Sequence, residues 1–289
     1  MSLTLLSSIL IDGVSYAMIL FMITVGLSMT MGLMRVVNLA HGAFAMLGGF
    51  FAATLPELLG VPRLVGALLA IVAVGVISLP IERFLIRRFY RRPELDQMLV
   101  TIGVMFVCIA LANIVFGSSI TALALPEFMS GSMDLGHRTI QTHRLVVLAL
   151  GLLVLGALWL VVERSTFGIR VRAAVDNASI AQAVGIDTAR IYAIAFASGA
   201  ALAALGGIVG AELMPMEPAY ASKYLVTFLA VVAVGGQGTL MGSFAAALLL
   251  GSVETAMKYL VPQLASVAFF ATMFVVLLWR PNGLFGRHA

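Results

Sequence analysis

Three polar side chains stand inside otherwise apolar runs, and any chemistry of this chain would be built around them. Asn38 and His41 open the stretch "NLAHGAFAMLGGF" (residues 38–50), and Gln237 sits between Gly236 and Gly238 in "GGQGTLMG" (residues 235–242). Left unpaired in hydrocarbon such groups cost several kcal/mol, so they face protein or water. In one reading, Asn38 and His41 line a pathway and hydrogen-bond a zwitterionic solute or a partner chain. In the other, they satisfy backbone carbonyls freed where the chain bends beside Gly42. Gln237 has the same two readings: its glycines expose backbone amides to a passing ligand, or they relieve sterics in a tight turn.

Catalytic and metal chemistry find no such support. The remaining histidines, His137, His143 and His288, fall on a polar loop and the tail, away from His41. Cys108 is the only cysteine and lies in an apolar run, which excludes a disulfide framework and a multi-cysteine metal site. No nucleophile has a partner base, and no G-x-x-x-x-G-K-[ST] phosphate loop occurs. The chain is read as a non-enzyme without a cofactor. Glu254 and Lys258, four apart, suit a helical ion pair, and Asp12 lies near one end of the first apolar run.

The elements that carry these residues are membrane helices. Of 289 residues, 62% are hydrophobic and 10% charged, with a mean hydropathy of +1.10, far too apolar for a soluble surface. The net charge of +4 does not mark a nucleic-acid partner, because the arginines fall in short loops between apolar runs, where they orient a chain in the bilayer. A crossing needs roughly 20 mostly apolar residues. Such runs lie near 5–34, 39–58, 64–82, 97–117, 144–162, 189–212 and 264–280. The stretch 223–258 is too long for one crossing and is broken at 235–242, which predicts a hairpin of two short helices. The expectation is an all-α polytopic protein of about seven full membrane helices plus that glycine-interrupted hairpin, in one domain over 1–289. The first run carries no Lys or Arg before Arg35, so it is expected to stay as a membrane helix.

Arg83, Arg87, Arg88, Arg91 and Arg92 share one connection, Arg164, Arg170, Arg172 and Arg190 another, and Arg280 and Arg287 the tail. The positive-inside rule makes these cytoplasmic, with the N-terminus outside. Residues 116–143 and 212–223 then face outward, as loops able to meet an external partner or simply solvated.

Within the basic connection 163–190, Asn177 predicts an N-cap for a short helix at 178–184, and Gly185 a left-handed stop. Asp187 or Thr188 caps the next span. The short helix presents Ile180, Ala181 and Val184 as an apolar face that either docks into another protein or rests at the lipid headgroups. Further on, Gly199, Ala203, Gly207 and Ala211 recur every four residues, a small-residue stripe for close packing inside this chain or against a partner.

Several of these stretches resemble one family. "FGIRVRAAVDNASIAQAVGID" (residues 167–187) is similar to the cytoplasmic loop of permease subunits from high-affinity branched-chain amino-acid ABC importers. "GLMRVVNLAHGAFAMLGGF" resembles that family's first helix pair, "VAVGGQGTLMGSFAAALLLG" its late glycine-rich segment, and "RPNGLFG" (residues 280–286) its closing signature. The four occur in the family's order almost end to end. One position departs: family members often carry Glu after "AHG", where this chain has Ala43.

The resemblance implies a translocation subunit in a bacterial-type inner membrane, surrounded by lipid. It would work with a second homologous permease, two cytoplasmic ATPase subunits and a periplasmic substrate-binding protein. It makes 178–184 the coupling helix that contacts the ATPase, with Asn177, Ile180, Val184 and Gly185 as its residues; Asn38, His41 and Gln237 stay the pathway candidates on the strength of their own polar chemistry. Permeases of urea and short-chain amide importers share these motifs. An ion-coupled secondary transporter is a further alternative, though the spans hold no acidic cluster for coupling.

Overall fold

A computed structural model describes residues 3–34, 36–90, 92–124, 126–134 and 139–286. Arg35, Arg91, His137, Arg287 and His288 lie outside the described residues. The elements are α1 (Leu3–Met34), α2 (His41–Leu59), α3 (Arg63–Phe84), α4 (Glu94–Phe116), α5 (Thr142–Leu158, prolonged by a π-helical turn Trp159–Glu163), α6 (Thr166–Asp176), α7 (Ala178–Ala183), α8 (Thr188–Gly210), α9 (Tyr220–Lys223), α10 (Leu225–Gly235), α11 (Leu240–Leu260) and α12 (Ala265–Trp279). Strands β1 (Ser132–Asp134) and β2 (Thr139–Gln141) pair antiparallel in the loop before α5.

Among the described residues eight helices are long and apolar enough to cross a membrane. Seven of them are the expected spans, and the eighth is the second arm of the expected hairpin, longer than anticipated. The first arm, α10, is short, with 11 residues; the second, α11, has 21 and is a full span. Glu254 and Lys258 continue it to Leu260 because they neutralise each other one turn apart (Nζ–Oε1 2.7 Å).

The inside-out logic of a membrane bundle decides which helix is central. Within lipid, apolar side chains gain nothing by being buried, whereas hydroxyls and glycines gain partners and close contacts. Helix α1 therefore takes the middle: Ser15, Thr24, Ser28 and Thr30 are buried in it, and Ser15 and Thr24 bond carbonyls one turn back. Peripheral α3, α4, α5 and α12 expose Leu68, Val72, Leu99, Phe106, Leu152 and Phe274.

Helices α8 and α11 both run antiparallel to α1. Gly26 packs on Gly199, Ile23 on Gly206 and Ile19 on Gly210; Gly13 meets Ser252 and Gly32 meets Gly238. A Cβ on Gly26 would lie 2.5 Å from the Gly199 carbonyl oxygen, so the α1–α8 crossing requires glycine there. Gly199 and Gly207 thus face α1 and α2, and Ala203 is fully buried with them in the bundle interior.

Two ends can be distinguished. At one end lie the close of α1, the α3–α4 and α5–α8 connections, the break after α10 and the tail after α12. Arg87 donates there to Ala189 O (3.3 Å), Gly238 N–H to Ser28 O (3.0 Å) and Leu284 N–H to Val234 O (2.7 Å). This end carries Arg83, Arg87, Arg88, Arg92, Arg164, Arg170, Arg172, Arg190 and Arg280. At the opposite end the start of α1 meets the start of α5 and the end of α11, where Arg144 and Tyr259 both hold Asp12.

Candidate functional site

Two stretches that interrupt the long helices enter the bundle, and they define the candidate site. The first is 36–40. From Met34 the chain turns back inward, and His41 Nε2 reaches Ile23 O at 2.9 Å. Ile23 lies nine residues before Gly32, about 14 Å of helix from the arginine-rich end of α1. Backbone at that depth must find protein partners. Helix α4 supplies them: Gln97 Oε1 accepts from Val37 N–H (3.3 Å), Thr101 Oγ1 accepts from Leu39 N–H (3.2 Å), and the Thr101 hydroxyl contacts Val37 O (3.2 Å). Gln97 Nε2 donates onward to Phe89 O and Arg92 O. Sequence reasoning missed Gln97 and Thr101; their signal was two polar residues four apart on the first turns of an apolar helix.

The second stretch is 211–224. Expected as an outward loop, it instead descends into the bundle: Met214, Met216, Tyr220 and Ala221 are buried, and Met216 presses on Gly49. It meets the first turn of α2 at Gly42, where an added Cβ would lie 3.2 Å from Ala221 O and 3.4 Å from the Phe228 ring. Half-helix α10 then carries the chain to the arginine-rich end, so 211–235 completes a crossing that α10 alone is too short to make.

The named polar residues do different things here. His41 is buried, bonded to Ile23 O, and edge-on to Phe44 at 6.2 Å. Asn38 is buried too; its Oδ1 caps Ala40 N–H (3.1 Å), while its Nδ2 finds no acceptor among the described residues. Gln237 is exposed and, with Met31, Gly32, Val36, Val37 and Glu94, lines a cleft of about 280 Å³ at the arginine-rich end. Asn38 and His41 do not line that cleft; Val36 and Val37 bring their segment to it. Gly236 and Gly238 both have positive φ (92° and 75°), and the tail closes over α10 through Phe285 N–H to Gly235 O (3.3 Å). Exposed positions on α9–α10 include Lys223, Val226 and Ala233, and Gln237 follows beyond Gly236 at this cleft.

Outside the bundle at the same end, α6 and α7 form a second site. Asn177 Oδ1 caps α7 by accepting from Ile180 N–H (3.0 Å), Gly185 ends it at φ +84°, and Asp187 Oδ1 caps α8 through Arg190 N–H (3.0 Å). Ile180 and Val184 are 62% and 71% exposed, with Ala181 turned inward. Helix α6 was not anticipated; its signal was the Ser165 cap on Gly168 N–H, with Gly168, Val171 and Ala174 buried at threes.

These helices are tied to the membrane part. Gln182 Nε2 donates to Thr188 Oγ1 (2.7 Å), and Tyr192 Oη donates to Ala174 O (3.0 Å). The Tyr192 ring stands edge-on to Tyr90 at 5.6 Å. Tyr90 Oη donates to Glu82 Oε1 (2.5 Å), and Arg87 grips both Glu82 oxygens through Nε (3.1 Å) and Nη2 (2.9 Å). Burial, and then the Glu82 bond, raise the Tyr90 phenol well above its ordinary value; the Glu82 bond raises Arg87. His143, expected on a loop, is buried in α5 between Val209 O (2.9 Å) and Glu212 Oε2 (2.6 Å).

The profile of the family described as branched-chain amino acid transport system permease component matches residues 9–278. The chain belongs to that family. The permease is 27% identical to the high-affinity branched-chain amino acid transport system permease protein BraD of Pseudomonas aeruginosa, over 96% of this chain and 95% of that one. It is 27% identical to LivH of Escherichia coli, named for the same system, over 96% and 94%. Its fold resembles a chain of PsaBC from Streptococcus pneumoniae, solved with a Fab, at TM-score 0.51 and 13% identity, covering 95% of this chain and 93% of the other.

Proposed function

We propose that this permease is the translocation subunit of an ATP-driven importer of branched-chain or other small amino acids, acting as one domain over 1–289. It pairs with a second homologous permease, two ATPase subunits on the cytoplasmic side and a periplasmic binding protein. The arginine-rich end is the cytoplasmic one, which sets the N-terminus outside and the C-terminus inside. ATP hydrolysis belongs to the ATPase subunits.

The observation that carries this reading is the capped helix α7, projecting from the arginine-rich end with Ile180 and Val184 bare. Two adjacent apolar side chains at 62% and 71% exposure suit a shallow groove on a partner. Through Gln182–Thr188 and Tyr192–Ala174 a push on α6–α7 reaches α8. Solute descends along α10 to the cleft at Gln237, whose lining includes Val36 and Val37 from the segment that carries Asn38. His41 acts as a brace, since its Nε2 is engaged by Ile23 O.

The test is uptake of radiolabelled leucine and urea into proteoliposomes holding the permease with its partners, with and without internal ATP. Leucine accumulation that needs both ATP and the binding protein supports the reading. Accumulation of urea instead moves the permease to the amide importers. Uptake by this chain alone on an ion gradient overturns it.

A further inference from the structure

A second cleft, of about 210 Å³, lies at the end opposite the arginine-rich one. Its walls are the opening turns of two peripheral spans, α3 (Leu64, Ala67, Leu68, Ile71) and α5 (Val146, Leu150). Helix α3 packs on α2 and α8, and α5 packs on α1. The floor between them is Ala52 of α2 with Leu205, Ile208 and Val209 of α8. Alanine at 52 and 67 leaves space that a larger side chain would fill. The roof is the segment 123–129, pinned beyond both ends by backbone: Thr121 N–H donates to Met216 O (2.8 Å) and Thr142 N–H to Gly131 O (2.9 Å). Leu64, Leu68 and Phe128 are 48%, 56% and 54% exposed, so the cleft opens outward, towards lipid, rather than into the bundle.

One charged side chain lines this apolar slot, Arg63. It is the first residue of the span Arg63–Phe84, which sets it at the membrane surface. Ile71, at the close of the second turn of α3, lies about 12 Å deeper. A cation at the surface above an apolar slot that descends along the bundle has the layout of a phospholipid in reverse.

We propose that this cleft binds a membrane phospholipid, with its phosphate on Arg63 and one acyl chain between α3 and α5 beneath 123–129. Guanidinium and phosphate are complementary in charge and in their paired hydrogen-bond geometry. Arg63 already engages a neighbour within the chain, and its five N–H donors let it take a phosphate as well. A zwitterionic amino acid fits poorly, because no carboxylate among the lining residues meets its ammonium. A partner helix, about 10–12 Å across, is too thick for a slot of this volume.

The experiment uses the full importer complex in detergent micelles, titrated with phosphatidylglycerol carrying a photoactivatable diazirine on one acyl chain, or with diacylglycerol carrying the same chains. Labelled residues are read by peptide mass spectrometry, and assembly by size exclusion. Expected is saturable labelling of 64–71 and 146–150 by phosphatidylglycerol, with at least tenfold less by diacylglycerol. Arg63→Gln is expected to reduce phosphatidylglycerol labelling at least fivefold, Arg63→Lys to keep part of it, and Ala67→Phe to suppress it by filling the slot. Arg280→Gln, at the other end, serves as the control and keeps wild-type labelling. Labelling that rises linearly without saturating, or that survives both Arg63→Gln and Ala67→Phe, overturns the proposal by making the cleft ordinary lipid-facing surface. Equal labelling by the two probes overturns it in the wild-type complex, whatever the variants do. Labelling of the isolated permease but not of the complex also overturns it, by making the cleft a subunit contact.

Discussion

Glu82→Gln tests whether the coupling helices and the membrane helices are joined through one buried carboxylate. Glu82 is fully buried and accepts three hydrogen bonds, two from Arg87 and one from Tyr90. Glutamine in its better orientation keeps an oxygen towards Arg87 Nε and Tyr90 Oη and sets its own NH2 against Arg87 Nη2. That loses one charge-assisted bond, which contributes about 1.5–3 kcal/mol, and weakens the other two. Arg87 is 34% exposed and can turn to water, so the cost stays below the roughly 3–5 kcal/mol of a fully buried broken pair. The expected loss is about 2 kcal/mol, or roughly 4–8 °C in melting temperature. Thermal unfolding in detergent, followed by tryptophan fluorescence, reads it.

Tyr90→Phe removes one bond and costs about 1 kcal/mol, and the double variant loses less than the sum because both changes act on one carboxylate. The pH dependence has a definite sign. Burial first, and the Glu82 bond second, hold the Tyr90 phenol above its ordinary 10.0. Its contribution is therefore complete below pH of about 10 and declines as pH rises towards the folded value. Tyr90→Phe flattens the stability loss above pH of about 10. Melting of Glu82→Gln within 1 °C of wild type refutes the reasoning.

A charge at the bare face of α7, as in Ile180→Asp or Val184→Asp, is expected to uncouple leucine uptake from ATP hydrolysis in the reconstituted complex. Unchanged uptake and unchanged substrate-stimulated hydrolysis would count against docking there. At the α1–α8 crossing, Gly26→Ala places a methyl 2.5 Å from Gly199 O, whereas Gly199→Ala places one 3.1 Å from Gly26 O. Gly26→Ala is expected to cost about 1–3 kcal/mol and Gly199→Ala less, read as melting temperatures; the reverse order would show that the helices separate with ease.

What the sequence determined by itself was mostly local. Hydropathy located seven of the spans because a bilayer demands runs of fixed length, and arginine placement marked the end where these residues gather. The Asn177 cap, the Gly185 stop and the Asp187 cap were legible because each acts on backbone within three residues of itself. Tertiary structure decided everything that depends on contact between distant segments. Nothing in "ELMPMEPAYASK" (residues 212–223) says that it plunges inward rather than facing water, since its Met and Tyr side chains find their sites only on α2 and the aromatic cluster around Phe228. Gln97 and Thr101 read as isolated polar residues until 36–40 folds back against them. Glu82, Tyr90 and Tyr192 join three elements that the chain brings together only in three dimensions.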